Sequence, residues 1–338
     1  MPDLLRSIGC FLSDVKQSGL RGVAVGYQRM LYCRRGGAPF LSWRALARET
    51  PTCSVIIDAH THLFPPEIRA RRAEYCARDP WFADLYGNPK ARMATAEELI
   101  ASMDAAGVDC SIACPFGWSD PGLIEECNTY LLDATRRYPG RIIGLAAIQP
   151  TACSRAVAEL ERCARVGMPG CGELMPHGQG YRLSDLALLE PLMEVARAYD
   201  LFILTHTSEP VGHLYHGKGN VAPGDLEVFL RAFPDIRVVA AHWGGGFPFY
   251  ELMPEVRQAA ANLWYDSAAS PYLYRPDIFP IAARIVGAQK LLFASDYPLI
   301  SQERMLAYTR ASGLTDEELT LVLGENARAL LAKAQASS

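Results

Sequence analysis

His60 and His62, in Asp58-Ala-His60-Thr-His62, close a short run of apolar, β-branched residues. Side chains alternate faces along a strand, so residues two apart point the same way. The pair suits one shared cation, gripped through neutral imidazole nitrogens. Similar runs end in Glu173, in Leu204-Thr-His206-Thr, in Ala241-His242-Trp-Gly and in Phe293-Ala-Ser-Asp296. The chain has seven histidines, and four of them hold such positions. One strand-end histidine is ordinarily a satisfied polar residue. Their joint occurrence on several strands is what favours a metal. His60, His62, His206 and Asp296 offer three nitrogens and one carboxylate, a set for Zn²⁺ or a similar divalent ion with a position left for water. His242 reads as a base or electrophile, because Gly244-Gly-Gly246 after it lets backbone approach a substrate closely. Asp58 either orients an imidazole or caps a turn.

Eight elements of strand length must position these groups. They are Val55–His62, Cys110–Phe116, Ile142–Gln149, Gly170–Leu174, Leu201–His206, Arg237–His242, Leu263–Ser267 and Lys290–Asp296. Each is apolar on both faces in its first half, the pattern of strands buried between a core and covering helices. Helical segments alternate with them. Thr95-Ala-Glu-Glu98 and Thr315-Asp-Glu-Glu318 have capping-box spacing. Ser184 precedes a helical stripe of Leu186, Leu189, Met193 and Ala196. Pro223 suits a first helical turn, and Gly324 is placed to end a helix before a last one through Asn326 to Leu331. This alternation predicts an α/β chain folded as one (β/α)₈ TIM barrel over residues 54–332. An open doubly wound sheet would carry a glycine-rich turn after its first strand, and here Leu63-Phe-Pro-Pro-Glu67 follows instead. Active sites of such barrels lie at the C-terminal ends of the strands, where the candidate residues fall.

The 338 residues are 50% hydrophobic and 21% charged, with a net charge of −4. That balance gives no basic face for nucleic acid, so a small molecule is the expected partner. No apolar run is long enough to span a bilayer, and no secretory leader is evident, which predicts a cytoplasmic protein. The 10 cysteines form no CxxC pair. Cys110, Cys114, Cys163 and Cys171 sit in apolar stretches and read as buried free thiols. Residues 1–53 read as an N-terminal extension or lid, with an organelle-targeting leader as the alternative, rich in arginine (Arg21, Arg29, Arg34, Arg35, Arg44, Arg48), and 333–338 as a C-terminal tail.

The segments Asp58–His62, Thr205–Thr207, Ala241–Phe249 and Phe293–Pro298, with the closing Gly324-Glu-Asn-Ala-Arg328, resemble the amidohydrolase superfamily. The nearest branch is the one containing aminocarboxymuconate semialdehyde decarboxylase. The resemblance covers residues 54 to 332. It implies a distorted barrel holding one or two divalent ions, usually zinc, on His60, His62, His206 and Asp296. It also implies that His242 helps to activate a metal-bound water, that Glu173 stands where some members bridge two metals, and, by analogy, a homodimer.

The first functional expectation is a hydrolase in which a metal-activated water cleaves an amide, ester or lactone of a small organic acid. Asp296 would take the proton, and His242 would share that role or stabilise the oxyanion. The alternative is a non-oxidative decarboxylase of a small aromatic or unsaturated acid. A third reading is a non-catalytic barrel serving as a binding subunit. Phe64, Trp118 and His177, with Tyr297, His213 and His216, are candidates for substrate contact. Arg69, Arg71, Arg182 and Arg275 follow strand ends and could hold a carboxylate.

Overall fold

Each of the eight runs contains a strand in the computed structural model, which describes residues 55–333. They are β1 (Ile57–His62), β2 (Cys110–Cys114), β3 (Ile142–Gly144), β4 (Gly170–Leu174), β5 (Phe202–Thr205), β6 (Val238–Ala240), β7 (Leu263–Asp266) and β8 (Leu291–Leu292). The extension assigned to residues 1–53 lies outside the described residues, as do residues 334–338 of the tail. Neighbouring strands are parallel, in the orders β1-β2-β3 and β4-β5-β6-β7-β8. Backbone bonds join the two groups. Ala146 N donates to Gly170 O (3.0 Å) and Gly172 N to Ala146 O (2.9 Å). On the other side Ala59 N donates to Phe293 O (2.9 Å) and Asp296 N to His60 O (3.0 Å), which completes the ring of a (β/α)₈ barrel. Among the described residues no helix is long and apolar enough to cross a membrane.

Strand periodicity sorts the apolar residues into two layers. Ile57, Ala59, Ile112, Leu204, Val239, Leu292 and Ala294 pack together inside the barrel. The alternate residues, among them Ala113, Cys171, Ile203, Ala240 and Phe293, pack outward with helical side chains such as Leu99, Leu131 and Leu189. Cys110, Cys114, Cys163 and Cys171 are buried free thiols. The register of β1 with β2 breaks between Asp58 and Thr61, and that of β4 with β5 between Cys171 and Leu174. Such irregularities re-aim side chains and recur beside active sites.

The helix starts follow the local chemistry. Thr95 and Thr315 both make complete capping boxes, opening helices Ala96–Ala106 and Asp316–Thr320. Pro223 occupies the first turn of helix Pro223–Ala232. Gly324 does not stop its helix. It lies within a π-helical turn, Leu321–Glu325, that runs directly into helix Asn326–Lys333. Its role is close approach: a Cβ there would fall 1.7 Å from Val55 O. Gly324→Ala is therefore expected to destabilise the fold by about 1–3 kcal/mol, read as a lower midpoint in urea. An unchanged midpoint would show that the first strand yields freely.

Candidate metal centre

The two register breaks decide the site. Ile57 and Ala59 face the barrel interior, so strict alternation would send His60 and His62 outward. The break after Asp58 reverses the facing, and both imidazoles turn to the site. Glu173 shares parity with the outward Cys171, and the break in β4 turns it inward in the same way. His206 and Asp296 need no such device, since they continue the inward series Leu204 and Leu292–Ala294. His242 follows the inward Ala241, and a left-handed backbone (φ 55°) redirects it; Trp243 (φ 60°) and Asp296 (φ 61°) are left-handed too. Non-glycine residues in that region cost about 1–3 kcal/mol each and persist only where the surroundings hold them.

His60 Nε2 and His62 Nε2 lie 3.0 Å apart. Glu173 Oε2 is 3.4 Å from each, and Asp296 Oδ1 is 3.4 Å from His62 Nε2. An ion with bonds of about 2.1 Å sets its ligands about 3.4 Å apart in a tetrahedron and about 3.0 Å apart along an octahedral edge. The donor atoms thus have the spacing of a coordination shell. The other oxygen of Glu173 serves a second group: Oε1 is 3.0 Å from His206 Nδ1 and 3.7 Å from His242 Nε2. Two sets result, His60–His62–Asp296 and Glu173–His206–His242, each with donor atoms within 4.8 Å of one another. Glu173 lies between them, one oxygen toward each. His62 Nδ1 is buried without a partner among the described residues, so only Nε2 of that ring is engaged. The donor set fits one divalent ion, with room for a second on the far side of Glu173.

The charges of the cluster balance internally. Burial disfavours the charged forms of His60, His242, Glu173 and Asp296, and their mutual contacts outweigh it. For His242, burial lowers the imidazole, but its bond to Glu173 and the charges of Asp296, Glu173 and Asp266 raise it to about 9. For Asp296, burial raises the carboxyl, while the His62 bond and the neighbouring imidazoles bring it down to about 2. His60 is held well above its ordinary range and Glu173 well below, each against the cost of burial. Protons on the imidazoles therefore compete with a cation for the same carboxylates. His60, held above its ordinary range, must lose its proton to bind metal, so affinity should rise as pH increases above about 6.5. Calorimetry in two buffers of different ionisation enthalpy should show proton release on metal binding. Equal heats in both buffers would contradict this.

A cavity of about 430 Å³ opens over the cluster, walled by Tyr86, Phe116, Met175 and Tyr272, with His213, His216 and Arg92 also on its lining. Phe64 and Trp118, expected on that wall, are 1% and 0% exposed and do not line it. They pack behind it, where Phe82 lies 4.4 Å from Trp118 and 6.2 Å from Phe64. Burying large aromatic surface against other rings outweighs presenting it to the cavity. His177 also stands apart, against Trp81 (5.3 Å) with Nδ1 3.1 Å from Asn220 Oδ1. Tyr297 lies off the lining and donates to Glu98 O. The four loop arginines are engaged elsewhere, Arg69 with Glu98, Arg71 with Glu74, Arg182 with Asp225 and Arg275 with Asp277. Arg92, in the loop before Thr95, is the arginine that reaches the cavity; no strand end or motif marks it in the sequence.

Of the two roles open to Asp58, the structure shows the one that secures backbone, and Asp266 makes the imidazole contact. Asp58 faces outward and accepts from Ser295 Oγ (2.5 Å), Ser295 N (2.9 Å) and Gln302 Nε2 (2.9 Å), holding β1 to the segment after β8. The carboxylate that contacts an imidazole is Asp266, whose Oδ2 is 2.8 Å from His60 Nδ1. The signal for it was a carboxylate at the end of the seventh strand, on the inward parity shared with Trp264.

The chain is 23% identical over 301 residues to the 2-amino-3-carboxymuconate-6-semialdehyde decarboxylase of Dictyostelium discoideum, covering 72% of this chain and 82% of that protein. Its fold is similar to 5-carboxyvanillate decarboxylase of Sphingomonas paucimobilis (TM-score 0.69, 18% identity, 83% of this chain and 99% of that one). It is also similar to the 5-carboxyvanillate decarboxylase of Novosphingobium aromaticivorans, solved with manganese and 4-hydroxy-3-methoxy-5-nitrobenzoic acid (TM-score 0.66, 18% identity, 82% and 96% covered). The amidohydrolase family model matches residues 57–333, from the first strand of the ring to the end of its last helix, and on that match the chain belongs to the amidohydrolase family.

Proposed function

We propose that this enzyme is a metal-dependent carboxy-lyase acting on a small aromatic or unsaturated acid. The observation that carries the reading is a cavity with one aromatic and apolar wall and one pole of ligand-type side chains, His62, Glu173, His206, His242 and Asp296. A planar acid fits between them. The three relatives described above are named as decarboxylases, which supports this reading over hydrolysis. A non-catalytic barrel is disfavoured by a complete donor set.

His60, His62, His206, Asp296 and Glu173 would hold the divalent ion. Three imidazoles with two carboxylates suit Mn²⁺ as well as the Zn²⁺ expected from the motifs. Bound there, the ion supplies fixed positive charge that orients an anionic substrate and stabilises charge developing in the transition state. His242 and Asp296 border the cavity and are placed for proton transfer. In the balanced reaction a proton is delivered to the carbon bearing the carboxylate. The bond to that carboxylate then breaks, its electron pair stays with the carbon skeleton, and CO₂ leaves. The aromatic wall excludes water and holds the ring plane.

The test is incubation with 5-carboxyvanillate and related hydroxylated aryl acids in H₂¹⁸O, with Zn²⁺ or Mn²⁺ supplied. One equivalent of CO₂ with no ¹⁸O in the organic product is expected. No CO₂ from the acids, together with ¹⁸O incorporation during cleavage of ester or lactone analogues, would restore the hydrolase reading. Arg92 lines the cavity and offers a planar donor fork for a substrate anion. Arg92→Met should raise KM by about 10–100-fold with kcat little changed, the pattern of lost uniform binding. An unchanged KM would remove Arg92 from the substrate site.

A further inference from the structure

We infer that Asp266 sets the tautomers of both His60 and His242, and so decides which ring nitrogen each presents to the metal centre. The inference rests on the reading of the cluster as a cation site.

Asp266 closes β7 and is fully buried. One oxygen, Oδ2, lies 2.8 Å from His60 Nδ1. The other, Oδ1, accepts from His242 N (2.9 Å) and from Ala268 N (3.0 Å). The carbonyl of Ala268 in turn lies 3.2 Å from His242 Nδ1. A carboxylate and a carbonyl only accept, so both Nδ1 atoms must carry hydrogen. In the neutral rings the lone pairs then belong to Nε2. Those are the atoms that face the cluster: His60 Nε2 toward His62 and Glu173, His242 Nε2 toward Glu173. Asp266 acts on His60 directly and on His242 through the Ala268 carbonyl. Through His242 N and Ala268 N it also ties together two loops that carry left-handed residues, His242 (φ 55°) and, next to Ala268, Ala269 (φ 58°). One side chain therefore organises a ligand from the first strand and an acid–base candidate from the sixth. Asp266 is a positioning residue, since it lies behind both rings and off the cavity lining.

Asp266→Asn separates its two tasks. The amide oxygen still accepts from the His242 and Ala268 N–H groups, so the turns are kept. The amide nitrogen now meets His60 Nδ1, which must accept, and the ring proton moves to Nε2, pointing into the cluster. The metal-free variant should keep the parent's circular dichroism spectrum but melt lower, since a buried charge opposite His60 is removed, while Zn²⁺ and Mn²⁺ affinity, measured by competition with a chromophoric chelator, should fall about 10–100-fold. Parent-like affinity in Asp266→Asn would overturn the inference and leave the metal reading intact. Failure of the parent itself to bind either ion would instead sink the metal reading. If Asp266→Asn does not fold, the zinc-loaded parent labelled with ¹⁵N-histidine decides by NMR. Nδ1–H imidazoles are expected at His60 and His242, and an Nε2–H form at either would overturn the inference.

Discussion

Asp296→Asn is expected to lower kcat by about 10²–10⁴-fold, the range for loss of a positioned acid–base group, while the protein keeps its fold. The substitution is unusually clean. Asp296 sits in the left-handed region (φ 61°), which asparagine tolerates better than other non-glycine residues. The isosteric amide keeps the contact with His62 within reach. What is lost is the negative charge that faces His62 Nε2 at 3.4 Å and the basic oxygen on the cavity lining. Its backbone bond to His60 O is untouched. Steady-state kinetics on metal-saturated protein, with circular dichroism as the control, checks this. Activity within tenfold of the parent would move the proton-transfer role to His242 alone.

Glu173→Gln should be at least as severe, and it should act first on metal content. Each oxygen of Glu173 meets a different group of imidazoles, His60 and His62 on one side and His206 and His242 on the other. Glutamine offers one carbonyl oxygen and one amide nitrogen, so one of the two groups faces a donor in place of an acceptor. Removing a buried carboxylate also leaves nearby imidazolium charge uncompensated in the metal-free state, at a cost of about 3–5 kcal/mol. Elemental analysis after gentle purification should find less bound divalent ion than in the parent. Thermal melting should drop, and activity should fall to background. Normal metal content with normal melting would show that Glu173 is neither ligand nor counter-charge.

The eight strands and the capped helices were legible because each depends on neighbours in sequence. Alternating apolar residues, a threonine three positions before a glutamate and a proline in a first turn act over a few bonds, and Ile57–His62, Ala96–Ala106 and Pro223–Ala232 follow from them. The ligand-type residues at strand ends were legible for the same reason, since a parallel barrel brings all its C-terminal strand ends to one rim. Buried aromatics were misread because a ring beside the mouth has the same sequence signature as a ring behind it. Phe64 and Trp118 lie behind because rings from other segments, Phe82 and Tyr86 among them, offer them partners.

Facing was the property that periodicity alone could not supply. Counting by twos from Ile57 and from Cys171 turns His60, His62 and Glu173 toward the helices, and counting from Val239 does the same to His242. Register breaks and a left-handed residue reverse all four. Those devices exist because the partner strands hold their own register and because Asp266 and Asp58 pin the departing backbone from elsewhere in the chain. The order of residues alone revealed which ligand-type side chains stand at strand ends and at which rim of the barrel they gather. Folding in three dimensions settled that Asp266 rather than Asp58 touches the His60 ring, that Arg92 reaches the cavity, and which way the imidazoles point. Each of those outcomes depends on hydrogen bonds or packing between residues far apart in the chain.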